Sequence, residues 1–423
     1  MPPVSRLATL FVAVLALCWF LPDLYDRAAL PEPVRSSGYY SADAGSFLVR
    51  VDGRDDTRFQ DEQGNPVTEE AFRRGLPFLY FADLEKHGEF PETVAGVPVT
   101  VAEARRQLQM LRLAPRDWNS GGLNLHTLIE SAPWGARLSL PDHMFRVMPA
   151  GLEFLRVADG RVDRDLSDRF TAAMTRAGVV WPLVAIGGNP STRKEFDEGY
   201  LLVDSANRLF QLKLVKGEPE CRATGLTVPG RVRAATVSEH QRREFIGAVV
   251  SDDAVHLVTY DDRLVPLPAA GFDADTVSVS LRTDPLNRTV LSTDLSGSTD
   301  TPYHLTATDR EYRPVHSFDL PLPAEYLASL ERRSMVGSAL FPLTVSQTSE
   351  TDDLLHLHLV PAEHLGLAAA GGLLCCALLW LWRRRSRAPL HPLELVTTLL
   401  TGVAGLLALL LLGPLSRQRA ADA

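Results

Sequence analysis

Apolar and polar residues alternate with a period of two through the middle of the chain, and unbroken apolar runs replace that alternation at both ends. MFRVMPAGLEFLRV, EGYLLVDSANRLFQLKLV, FIGAVVSDDAVHLVTYDDRLVPL, VSVSLRTDPLNRTVLSTDL and YHLTATDREYRPVHSFDL begin near residues 144, 199, 245, 276 and 303. Each reads as short strands joined by Asp, Asn, Gly or Ser turns. Successive antiparallel hairpins without crossover helices predict a mainly β, meandering body with some α; a β-propeller-like arrangement leads and a sandwich is second. Pairing of SFLVRV (46–51) with LLHLHLV (354–360) would close the ring.

Helical periodicity is confined to the first part of the body. A short helix is expected from Thr68, with Glu69 and Glu70 in its first turn. A second opens on the capping box Thr100/Glu103, carries Ala104, Leu108 and Leu111 on one face, and stops at Pro115. A third runs from an N-cap at Ser167 to about Ala177, with Phe170 and Met174 inward and Gly178 ending it. Residues 46–180 are therefore expected to be mixed α/β and residues 181–361 to be β-hairpins. Residues 23–45, rich in Pro, Ser and Gly, read as a linker.

The terminal runs predict three transmembrane helices. Leu7–Leu21 is short, spanning ~22 Å against a hydrocarbon core of ~30 Å. The bulky LPDLYDR after it offers a poor signal-peptidase site, which favours an uncleaved anchor over residues 1–22. Leu365–Trp382 and Leu395–Leu412 would each reach ~27 Å, giving spans at 365–382 and 393–414. The loop 383–392 carries Arg383, Arg384, Arg385 and Arg387, so the positive-inside rule makes it cytoplasmic. The large domain then lies outside the bacterial inner membrane, in the periplasm. Arg6 agrees with that orientation, whereas Arg417 and Arg419 fall on the far side, against the rule.

Charge supports a body away from nucleic acid. The 423 residues carry 43 basic and 52 acidic side chains, net −9. Seven of the basic and three of the acidic residues lie outside 23–361, which leaves that region at −13 and argues against phosphate contacts. Of four cysteines only Cys221 lies in the body, so no disulfide framework exists there. Cys375 and Cys376 are adjacent on a helix, point about 100° apart, and read as packing groups.

No G-x-S-x-G, P-loop, H-E-x-x-H or C-x-x-C motif is present, so no enzyme class and no cofactor is indicated. His356 and His358 share one face of a strand and His364 follows; three imidazoles could hold a divalent ion, though no carboxylate or thiolate completes the set. The alternative makes those histidines the solvent side of a strand whose Leu355, Leu357 and Leu359 face inward. Asp142 and His143 are neighbours on an extended chain and face opposite ways, so Asp142 reads as a turn cap. GGNPSTRKEFDEGY (187–200) is the most distinctive stretch, a candidate docking loop presenting Asn189, Arg193, Lys194, Asp197, Glu198 and Tyr200, or equally a solvated turn with local ion pairs. Glu394 sits at the edge of an apolar run and reads as interfacial. Gly371-Gly372 and Gly402-x-x-Gly405 predict close helix approach.

CWFLPDLYD, FQDEQGNPVTEEAF, GLPFLYFADLEKHGEFPE, LIES, LPDHMFRV and above all GNPSTRKEFDEGYLLVDSANRLFQLKL, in this order, are similar to the bacterial membrane-protein family called Domain of Unknown Function 4857. The resemblance covers most of residues 10–260. It implies a membrane-anchored bacterial protein and suggests association with ABC-transporter components; the family supplies no catalytic residues to carry over. The expected role is an accessory or binding subunit of an envelope complex, its partners the lipid bilayer and an ABC transporter permease. A periplasmic sensor is the alternative, weakened by about ten residues of cytoplasmic loop between the last two spans. A metal-dependent envelope enzyme resting on His356, His358 and His364 is third.

Overall fold

A computed structural model describes residues 4–29, 35–53, 56–106, 108–121, 124–135, 137–296, 299, 301–348 and 351–415. The expected linker positions 30–34 and the arginines Arg417 and Arg419 lie outside them. The chain is mainly β with some helices, arranged as successive antiparallel meanders. The first sheet is Arg35–Ser41, Ser46–Asp52 and Thr57–Asp61; the second is His126–Thr127, His143–Met148, Gly151–Arg156 and Val162–Asp163. The third is Leu183–Gly188, Tyr200–Asp204, Arg208–Val215 and Glu218–Thr227, and the fourth is Val232–Val237, Phe245–Ser251, Val255–Thr259 and Leu264–Pro266. The fifth comprises Val277–Thr283, Arg288–Asp294, Tyr303–Thr308 and Pro314–Leu320, with Gln109–Leu113 added on its Val277–Thr283 edge.

Turn chemistry explains the hairpins. Asp204 is fully buried and its carboxylate accepts from the backbone N–H of Ala206 and Arg208 and from the Arg208 Nε at 3.0 Å. Asp309 does the same for Glu311 and Arg313. Both are D-x-x-x-R turns in which the carboxylate organises the backbone and the arginine neutralises it. DPLNR (284–288) repeats the spacing, with Asp284 capping Leu286 and Asn287.

Apolar clusters join the sheets in series. Phe145, Phe154, Phe170 and Met174 unite the second sheet and the Arg164–Ala177 helix with Leu202 and Phe210 of the third. Ala185, Val203, Ala235 and Val249 join third to fourth. Phe245, Leu257, Leu111 and Leu281 join fourth to fifth, and Phe47, Val49, Leu305 and Leu320 join fifth to first. The third and fourth sheets touch through backbone: a Cβ on Gly187 would lie 1.7 Å from the Ala235 carbonyl oxygen.

Several expectations are corrected. Gln109–Leu113 is a strand paired with Val277–Thr283 rather than the continuation of the helix opened at Thr100; that capping box forms, but its helix is only Val101–Arg105. Leu111 and Leu113 gain a fully covered β environment there, and packing outweighs local propensity. The third helix is capped by Asp163, not Ser167, whose hydroxyl donates to the Asp163 carbonyl and accepts from the Phe154 N–H. The expected linker is partly ordered, with the N-terminal helix continuing through Ala29 and Arg35–Ser41 pairing with Ser46–Asp52. The ring is not closed by 46–51 and 354–360. Each pairs with its sequence neighbour, which costs far less loop-closure entropy. A 17-residue helix, Ala324–Leu340, stands inside the segment read as hairpins.

At the chain ends only two described helices are long and apolar enough to cross a membrane, Val4–Ala29 and Leu365–Arg385. The third expected span is broken at Gly402 into Pro392–Thr401 and Val403–Leu412. A Cβ on Gly402 would lie 2.4 Å from the Leu340 carbonyl oxygen, so the break is seated against the end of the Ala324–Leu340 helix. Leu10, Leu379 and Leu409 form one core of this helical part, and Cys18, Val345 and Ala404 another.

Candidate functional site

The residues singled out between 187 and 200 gather, but mostly inward. Pro190 and the glycines turn the chain between Leu183–Gly188 and Tyr200–Asp204, and the loop folds over the junction with the fourth sheet. The Lys194 ammonium, 5% exposed, donates to Asp197 Oδ1 at 2.6 Å, Glu239 Oε1 at 2.6 Å and the Asn189 carbonyl at 2.7 Å, which uses all three of its donors. Asp197 also accepts from Ser131 Oγ at 2.5 Å, and Glu239 from Asn189 Nδ2 at 2.9 Å. Glu198 is held by Gln211 Nε2 at 2.9 Å and by Lys213. Tyr200 Oη donates to the Thr127 carbonyl, and burial pushes its phenol up to about 12. Only Arg193 of the six is exposed. These charges satisfy one another and tie residue 131, the loop and the fourth sheet together.

The other candidates separate. His356 bonds Asp352 at 2.6 Å and stacks on His358 with ring centroids 6.2 Å apart, while His364 lies 3.4 Å from Glu331. Among the described residues no three His, Cys, Asp or Glu side chains converge on a metal-sized site. Leu355, Leu357 and Leu359, expected inward, are 59%, 57% and 64% exposed. Their hairpin pairs with no other sheet; its Leu343–Thr348 strand buries Val345 against Cys18 and Ala404, and the three leucines stay outside that contact. His143 turns to Asp163 at 3.2 Å rather than to Asp142. Glu394, expected at the interface, is fully buried against Arg383 at 3.1 Å.

A large concavity lies elsewhere, between the C-terminal end of the Val4–Ala29 helix, the Ala324–Leu340 helix and the hairpin Leu343–Thr348/His356–Pro361. It is a cleft of about 1110 Å³. Trp19 and Phe20 line it and remain 47% and 60% exposed. Its wall is pinned by Tyr25, whose hydroxyl donates to the Arg333 carbonyl at 3.0 Å, and by Arg333 Nε, which donates to Asp26 at 2.9 Å. Ser334 donates to Glu363 at 2.5 Å. Gly337 faces the Tyr25 ring, where a Cβ would sit in ordinary van der Waals contact at 3.4 Å. Half-exposed aromatic rings beside carboxylates and arginines suit an amphiphilic occupant or the flank of a second protein better than bond chemistry. Sequence reasoning missed this cleft because one wall is the helix read as strands and because it is held by a contact between residues 308 apart in the sequence. The signal was the i, i+3 spacing of Leu327 and Leu330 after Pro323.

Solved structures give distant likenesses. The chain is 13% identical to the β-propeller domain of Myceliophteria thermophila Cps50 (Swd1), covering 57% of this chain and 64% of that one at a TM-score of 0.24. PorZ, a surface component of the type-IX secretion system of Porphyromonas gingivalis, is 12% identical over 70% of this chain and 34% of its own, at a TM-score of 0.21. No curated protein matches. A family model matches residues 37–304, well over half of the chain and nearly all of the sheet body. The protein therefore belongs to the family Domain of unknown function (DUF4857).

Proposed function

We propose that the chain is a membrane-anchored accessory or binding subunit of a bacterial envelope complex, its sheet body a propeller-like array standing on the periplasmic side. An ABC-type permease is the partner suggested by the resemblance noted above. The carrying observation is the placement of the cleft: its walls are the outer end of one spanning-length helix and the segment leading directly into the other. A partner seated there would touch the anchor and the body at once. Trp19 and Phe20 supply the large amphipathic or apolar contacts that anchor interfaces. The arginines that follow Trp382 support the orientation, since basic residues favour the cytoplasmic side.

The test is a photo-crosslinking amino acid at Phe20 or Glu331 in the full-length chain in native membranes. Adducts with a transporter permease subunit, lost when the crosslinker is moved to exposed Arg193, are the expected result. Adducts with lipid alone at both positions would remove the accessory-subunit reading.

A further inference from the structure

The apolar stretch from Pro392 to Leu412 has the length of one crossing but not its path. Its two ten-residue helices run antiparallel: Glu394, near the start of the first, accepts from the Leu415 N–H at 2.7 Å just beyond the end of the second. Gly402 makes the reversal at φ 58°, ψ −124°. Gly405 packs on the first arm, where a Cβ would lie 3.0 Å from the Thr397 carbonyl oxygen.

The neighbours fix which end is which. Arg6, at the start of the N-terminal helix, donates from Nη1 to the Pro414 carbonyl at 2.7 Å, and Arg383, at the end of the Leu365–Arg385 helix, donates to Glu394. Arg6, Arg383, Glu394 and Leu415 therefore mark one end of the bundle. At the other end Ala404 packs with Cys18 and Val345, while Gly372 faces the Leu399 carbonyl, which a Cβ would approach to 2.5 Å. Each arm is ~15 Å long, half of a ~30 Å hydrocarbon core. Non-helical backbone survives at such depth only when protein encloses it. That condition is met, because Thr398 and Ala404 are fully buried, Thr401 is 6% exposed and the Gly402 N–H donates to the Thr398 carbonyl at 2.8 Å.

We propose that residues 392–415 form a re-entrant hairpin that enters and leaves the bilayer on the side of Arg383–Arg387, so the described residues cross the membrane twice and Arg6 and Leu415 share that side. This rests on the membrane reading above but not on the partner. It also bears on the exception in the charge pattern, since the described chain ends at Leu415 on the side that Arg6, Arg384, Arg385 and Arg387 would occupy.

Single cysteines at Ser191 in the body, Ser386 in the loop and Ala420 in the tail, in a full-length chain with its four native cysteines changed to alanine, are labelled with a membrane-impermeant maleimide in spheroplasts and in inverted vesicles. The expected result is that S386C and A420C react together in inverted vesicles and S191C reacts in spheroplasts. A420C reacting with S191C and opposite S386C overturns the hairpin and leaves the anchored body standing; all three on one side overturns both. Phosphatase and green-fluorescent reporters placed after Ser386 and after Ala423 in the native-cysteine chain repeat the comparison should the cysteine-free chain fail to fold. Phosphatase activity only at the tail fusion counts against the hairpin.

Discussion

The Lys194 cluster and the Arg333–Asp26 wall of the cleft use the same chemistry to opposite ends. Each ties together segments far apart in sequence through one cation and its carboxylate. Around Lys194 the three side chains are 5%, 4% and 1% exposed and every donor is used. At the cleft the two are 25% and 43% exposed, with room beside them. Burial decides the difference: a dry ion cluster fixes the relation of two sheets and has nothing left for a partner, whereas a wetted pair costs little to rearrange.

The hardest way to break that comparison is Lys194→Met. It leaves Asp197 and Glu239 buried beside each other without their cation, and removing one partner of a buried pair costs about 3–5 kcal/mol. Thermal melting of the purified full-length protein should show a drop of several degrees or loss of folding; an unchanged Tm would mean that the cluster is hydrated. Gly187→Ala tests the same junction through sterics. Its Cβ would fall 1.7 Å from the Ala235 oxygen, backbone against backbone, and a forced shift of this kind costs about 1–3 kcal/mol. The alanine should destabilise the protein although it adds a single methyl.

Acid offers a subtler probe of the buried side. Burial holds the imidazoles of His126 and His256 below their ordinary value of 6.5, with Asp253 opposing the shift at His256. The folded protein therefore favours the neutral rings while the unfolded chain binds more protons. The stability is complete above the unfolded pKa of 6.5 and is lost as pH falls through it toward the lowered folded values, a window that opens near pH 6.5 and runs to the acid side. Melting temperature should decline across that window, and His256→Gln should flatten the decline. An unaltered slope in the variant would assign the pH dependence to other groups.

Legibility followed the range of the interactions. The hairpins from 144 to 320, the capping box at Thr100 and the inward Phe170 and Met174 could be read directly, because periods of 2 and 3.6 and turn residues act locally. Gln109–Leu113 could not, since Leu108 and Leu111 after a helix start fit a helix, and only a partner near residue 280 makes them a strand. The 187–200 loop stood out for its charges, but the group that turns them inward, Glu239, lies some 40 residues on. Gly402 was read as a small contact residue, and its reversal of the chain depends on the carbonyl of Leu340.

The smallest expected effect falls on the cleft. Arg333→Ala removes the bond to Asp26 and some stem packing, but both groups stay in contact with water, so the loss is about 0–1 kcal/mol. Tyr25→Phe removes one hydrogen bond to the Arg333 carbonyl, worth about 1 kcal/mol. Neither should move Tm by more than about 2–4 °C in a chain of this size. Binding should respond more than stability, because both groups shape the wall that an occupant would touch. Crosslinking yield from Phe20 should fall several-fold in either variant while Lys194→Met, if it folds, leaves the yield per folded molecule unchanged. The reverse pattern would move the interaction surface to the sheet body and make the cleft a mere gap between helices.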